Sequence, residues 1–176
     1  MRSLTLLALL ALSTSAQQTP RPAPPLTYSL PNKPNQTLDQ YRGKVIALEF
    51  IFTTCPHCQA ASHLMSKLQT EYGPRGLQVL DIAINPNADL KVEDFAREQQ
   101  TTFPVGWATQ KDMTTFMSFG SDRYVVPQLV LIDRKGIIHY QTPAMESDAW
   151  DKLMTEESIR KHIEELLNYQ RPHTRP

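Results

Sequence analysis

Val45-Ile46-Ala47-Leu48-Glu49-Phe50-Ile51-Phe52-Thr53-Thr54-Cys55-Pro56-His57-Cys58 is the stretch on which the fold turns. Its first eight positions are apolar and rich in β-formers except for Glu49, the pattern of a strand buried on both faces over residues 45–52. Beyond Thr54, Ala61, Leu64, Met65, Leu68 and Tyr72 recur at helical spacing, which predicts a helix from about residue 55 to residue 72. Gly73-Pro74 then stops it, a C-cap glycine followed by a breaker. Two cysteines, three positions apart, therefore stand where a buried strand hands over to a helix.

Outward from this junction the chain alternates. Residues 77–84 read as a second buried strand, and residues 90–100 as a helix that Asp89 is placed to cap, burying Val92, Phe95 and Ala96. A short amphipathic piece, 113–119, ends at Gly120. Strands are expected at 128–132 and 137–140, separated by the hairpin turn Asp133-Arg134-Lys135-Gly136. A last helix over 156–168 carries Ile159, Ile163, Leu166 and Leu167 on one stripe, with acidic residues in its first turn to complement the dipole. Before the first long strand, residues 28–30 and 37–38 suggest a small β unit around Pro31-Asn32. Strand–helix alternation gives parallel pairs with right-handed crossovers, and the hairpin adds antiparallel strands. The expected fold is α/β, a central mixed sheet flanked by helices.

The N-terminus reads differently. Arg2 precedes a Leu- and Ala-rich run from Leu4 to Leu12, and Ser13-Thr14-Ser15-Ala16 supplies small residues for cleavage after Ala16. Residues 1–16 thus read as a secretory signal, too short to cross a bilayer, which takes about 20 residues. Residues 17–25 read as a Pro-rich extended tether, residues 26–170 as the domain and 171–176 as a tail. No later stretch reaches membrane-spanning length, so the expectation is an exported protein of the periplasm or cell envelope, without a span after cleavage. Lys plus Arg and Asp plus Glu are each 18 of 176 residues, which argues against nucleic-acid binding.

Two cysteines cannot supply four zinc ligands. A disulfide closing so short a loop also stabilises little, so the pair suits chemistry better than bracing. At a helix N-terminus, unsatisfied N–H groups and the macrodipole favour a thiolate, the form that attacks disulfides. Cys55, nearer the strand end, is the expected nucleophile, and Cys58, one turn in, the resolving thiol. His57 is placed to donate a hydrogen bond or positive charge toward the Cys55 sulfur; the plainer alternative is an exposed polar residue at a helix start. Glu49 is an acid in an apolar strand, where burial raises a carboxyl pKa. It is a candidate proton relay to Cys58, the alternative being a pairing with a lysine such as Lys44.

These residues resemble the thioredoxin superfamily, specifically its exported TlpA/ResA-like branch. Leu38 to Lys44 is similar to that family's lead-in, Glu49 to Cys58 to its active-site strand and helix, and Val126-Pro127-Gln128-Leu129-Val130-Leu131-Ile132-Asp133 with Gly136 to its cis-proline strand. The resemblance spans about residues 26–168. It implies a three-layer thioredoxin-like fold and a thiol–disulfide oxidoreductase. It also implies a cis Pro127 beside Cys55, leaving the Val126 backbone to pair with an extended client segment. The implied partners are proteins bearing thiols or disulfides and a second redox protein. No cofactor is expected beyond the Cys55–Cys58 disulfide, and the chain is expected to act as a monomer. Two departures stand out: Thr53-Thr54 replaces the family's tryptophan, and Cys55-Pro56-His57-Cys58 resembles DsbA-type oxidants.

Two other classes share this fold. A copper-handling protein like the SCO group uses paired cysteines one residue further apart plus a distant histidine, for which His139 and His63 are the candidates. A peroxiredoxin needs a proline and a threonine where this chain has Leu48 and Phe52. His162 and His173 read as solvated, and Phe103-Pro104-Val105 with Trp107 as packed near the site.

Overall fold

The computed structural model describes residues 19–121 and 123–169. The expected signal segment 1–16, the first two tether residues and the tail 171–176 lie outside them. In chain order the strands are β1 (Arg21–Pro22), β2 (Thr27–Leu30), β3 (Lys33–Thr37), β4 (Val45–Ile51), β5 (Leu77–Ala83), β6 (Val105–Trp107), β7 (Gln128–Ile132) and β8 (Ile137–Gln141). The helices are α1 (Pro56–Tyr72), α2 (Val92–Glu98), α3 (Gln110–Phe116), α4 (Asp148–Leu153) and α5 (Glu156–Asn168).

The described strands form one sheet in the order β1-β8-β7-β4-β5-β6-β2-β3. β4 lies inside it, buried at every position, parallel to β5 and antiparallel to β7. Strand periodicity then divides the core. Val45, Ala47 and Ile51 of β4, with Leu77, Val79 and Ala83 of β5, meet Met65 and Leu68 of α1 and Ile159 and Ile163 of α5. Ile46, Leu48 and Phe50, with Leu80 and Ile82, meet Met113 and Phe116 of α3 and Tyr28 of β2. Each fully buried Leu, Ile or Phe contributes about 1.5–3 kcal/mol, so both faces of β4 anchor the molecule. The mixed sheet between helical layers is the architecture the sequence predicts.

Several local expectations change. Arg21–Pro22, inside the expected tether, pairs with Ile137 and Ile138 at the sheet edge, where proline's missing N–H costs nothing. The Ala23 amide also donates to the Gly136 carbonyl at 2.9 Å, and the Arg21 guanidinium donates to Gln141 Oε1 at 2.6 Å. The second strand of the early hairpin runs from Lys33, with Asn32 at φ 60° in the turn; Leu38 begins a 3-10 turn. Asp89 does not cap α2, which starts after Lys91 without a side-chain cap. α3 begins three residues earlier than its apolar pattern, because Thr109 and Asp112 form a reciprocal capping box. β6 and α4 lay outside the sequence reading, being too short for a period to show.

Candidate active site

The parallel strands β4, β5 and β6 end at one edge of the sheet, and β7, running the other way, begins there. Phe52 to Thr54 leads from β4 to α1, with the Thr53 amide donating to Asn85 Oδ1 at 2.9 Å. Cys55 is the N-cap residue of α1, at φ −87° and ψ 120°, and Pro56 follows as the first helical residue, where its lack of N–H is harmless. Cys55 is half-buried and Cys58 buried, both as free thiols. The Phe52 amide donates to Cys58 Sγ at 3.5 Å. Burial pushes the Cys58 thiol far above its ordinary value; the Phe52 hydrogen bond opposes this, while the nearby Cys55 and Glu49 add to it.

Across from α1, the Val126–Pro127 peptide bond is cis, and Cys55 Sγ lies 3.9 Å from the Val126 carbonyl oxygen. Pairing of Phe50 with Gln128 sets this meeting, since it brings the end of β4 beside the start of β7. Two buried polar residues brace the turn. Gln128 Nε2 donates to the Val125 carbonyl at 2.8 Å and to that of Ala144 at 3.3 Å. The Thr142 hydroxyl donates to Gln128 Oε1 at 2.5 Å and accepts from the Leu129 amide at 3.0 Å.

Glu49 is wholly buried beneath α1 and opposite Asp81 of β5, also wholly buried. Lys44 is not its partner; that ammonium donates to Gln78 Oε1 at 3.3 Å. No donor among the described residues reaches either Glu49 oxygen. Burial, then the Asp81 carboxyl, hold Glu49 well above the ordinary carboxylate range. Burial likewise raises Asp81, against the Ser62 hydroxyl, which donates to Asp81 Oδ2 at 2.5 Å.

His57 and Pro127 line a groove of about 400 Å³ together with Ala60, Ala61 and Leu64 of α1 and Glu146, Trp150, Asp151, Met154 and Thr155. Trp150 lies on α4, which Ser147 caps through the Trp150 amide at 3.3 Å. Trp107 ends β6 at the same sheet edge, and Phe103 and Val105 are core residues.

The structure thus brings Cys55, Cys58, Glu49, His57 and Pro127 to one end of the sheet. His139 is elsewhere occupied: its Nε2 bonds Asp133 Oδ2 at 3.0 Å, beside the β7–β8 turn. His63 is exposed on α1. Among the described residues, no group of three or more His, Cys, Asp or Glu side chains is arranged to hold a metal ion. Sequence reasoning missed Asp81, Ser62, Gln128 and Thr142. The signal for Asp81 was present, since it is the one acid in the apolar run 77–84.

A model of the AhpC/TSA family matches residues 21–141. The chain is 28% identical over 129 residues to the thiol-disulfide oxidoreductase ResA of Geobacillus kaustophilus, covering 73% of this chain and 67% of that protein. It is equally identical, over the same shares, to ResA of Geobacillus thermodenitrificans. Among solved structures, a thioredoxin-family thiol:disulfide interchange protein of Chlorobium tepidum aligns with a TM-score of 0.67 at 21% identity, covering 87% of this chain and all of that one (100%).

Proposed function

The chain belongs to the AhpC/TSA family, and on that premise we propose that it is an exported thiol–disulfide oxidoreductase exchanging disulfides with envelope proteins through Cys55 and Cys58. The observation that carries this reading is the disposition of the two sulfurs. One is half-exposed at the amino end of α1 against the Val126 carbonyl, the other buried a turn behind. The relatives named as thiol-disulfide oxidoreductases support the same chemistry.

The Cys55 thiolate attacks one sulfur of a client disulfide, and the client's other sulfur leaves as a thiolate and takes up a proton. Cys58, once deprotonated, attacks Cys55 Sγ. The Cys55–client bond breaks, the Cys55–Cys58 bond forms, and the client departs with two electrons gained. Run backward, the same steps oxidise a client dithiol. Val126 and Pro127 hold the client segment beside Cys55 by strand addition. His57, which lines the same groove as Pro127, is placed to donate a hydrogen bond or positive charge toward the Cys55 sulfur. Glu49 exchanges the proton that Cys58 must lose. One copy of the chain carries every group named.

Replacing Cys58 with serine leaves the first step intact and removes the second, so the variant accumulates a covalent Cys55–client complex that thiol reductants release. Cys55→Ser forms none and turns over no client. Normal turnover by Cys55→Ser overturns the assignment.

A further inference from the structure

Glu49 and Asp81 are an unusual pair to find inside a protein core. They occupy opposed positions of adjacent parallel strands, and both point to the sheet face that α1 covers, because Ala47, Ile51, Val79 and Ala83 of the same phase all do. Outside the pair, β7 sets Leu129 opposite Glu49 and β6 sets Val105 opposite Asp81, so neither flanking strand supplies a counter-charge. From α1 the pair is faced by Cys58 and Ser62, one helical turn apart and both buried. Ser62 bonds Asp81 Oδ2, which leaves Asp81 Oδ1 and both Glu49 oxygens without a donor.

Two carboxylates this close, walled by apolar side chains, cannot both ionise at modest cost. We propose that Asp81, anchored by Ser62, shares one proton with Glu49, so that the two carboxyls act together as the proton store for Cys58. Asp81 is a positioning residue in this arrangement; it acts on the sulfur through Glu49. The inference rests on the disulfide-exchange reading and deepens it. In the resolving step the Cys58 thiol passes its proton to the singly charged pair, which becomes neutral. The sulfur then attacks Cys55 Sγ and the client leaves as a thiolate. In the reverse direction the neutral pair returns the proton to Cys58. Proton count and charge balance within the site in both directions, and no outside base is needed. Raised proton affinity of both carboxyls is what burial and mutual proximity produce.

The test uses the reduced full chain and the aromatic disulfide dithiobis-nitrobenzoate, whose thiolate is coloured. Attack by Cys55 releases one equivalent, and attack by Cys58 on the resulting mixed disulfide releases the second. The rate of the second phase, followed from pH 5 to 10, is expected to show two inflections, because a coupled pair loses its protons in two macroscopic steps. Asp81→Asn is expected to leave a single inflection. Ser62→Ala, a mild change in a helix, is expected to raise the lower inflection by about one pH unit, since it removes the hydrogen bond that favours the Asp81 carboxylate. A purely structural role for either residue moves stability and not these profiles. Second-phase profiles of both variants that superimpose on the parent's overturn the proton-sharing pair alone. A parent that releases no first equivalent overturns the role of Cys55 and this inference with it.

Discussion

The Thr142 hydroxyl, on the residue that follows β8, donates at 2.5 Å to Oε1 of Gln128, the first residue of β7 and next after the Val126–Pro127 turn. Both residues are wholly buried. The turn that meets Cys55 is therefore held from inside the sheet, through the Gln128 side chain that also donates to the Val125 and Ala144 carbonyls.

Thr142→Val keeps the shape of the side chain and removes its hydrogen bonds. Gln128 Oε1 and the Leu129 amide are left short of partners, at a cost of about 2–3 kcal/mol. Urea unfolding measures the loss. At urea concentrations where the variant is still folded, its apparent affinity for a client disulfide is expected to fall, because the client-binding edge is no longer fixed.

Cys58 is expected to be inert in the folded protein. In a Cys55→Ser background, iodoacetamide labelling of Cys58 at neutral pH should be slow and proceed only through transient opening of the fold, since burial both shields the sulfur and disfavours its thiolate. Labelling should accelerate as pH rises. Rapid labelling at neutral pH without denaturant contradicts the buried position.

The carboxyl pair makes stability fall as pH rises. Folded Glu49 and Asp81 keep their protons above the range in which the unfolded chain, at ordinary carboxyl values of about 4, has lost them. The folded state thus binds more protons through this window, and the slope of unfolding free energy against pH is negative. A tenfold rise in the proton affinity of a wholly buried carboxyl is worth about 1.4 kcal/mol. Glu49→Gln is expected to flatten the curve of the reduced protein and to make it more stable than the parent at pH 8, by urea unfolding. An unchanged slope contradicts the raised proton affinity.

Gly106 lies where no side chain fits. A Cβ there would stand 2.4 Å from the Ser29 carbonyl oxygen, and β2 meets β6 through the Ser29–Trp107 pair. Gly106→Ala is expected to cost about 1–3 kcal/mol by forcing the two strands apart. Hydrogen exchange should show lost protection at the β2–β3 hairpin, with β4 and β5 unaffected.

What the linear chain determined was whatever repeats at the period of a strand or a helix. Val45 to Phe52 announced a doubly buried strand because eight successive side chains need apolar neighbours on both faces, and the spacing of Leu64, Met65 and Leu68 announced the helix that follows. Those two elements also fixed where Cys55 and Cys58 lie, since a strand end and a first helical turn are local features. Short elements escaped. β6 holds three residues and α4 six, fewer than a pattern needs to emerge, and α4 owes its start to the Ser147 cap. Register escaped as well. Glu49 and Asp81 are 32 positions apart, and only the in-register pairing of β4 with β5 makes them neighbours. Gln128 and Thr142 meet for the same kind of reason, across an antiparallel pair. Periodicity encodes which face a residue takes, whereas the partner on that face is chosen by strands distant in sequence, so the site's acid pair and its brace exist only once the sheet has assembled.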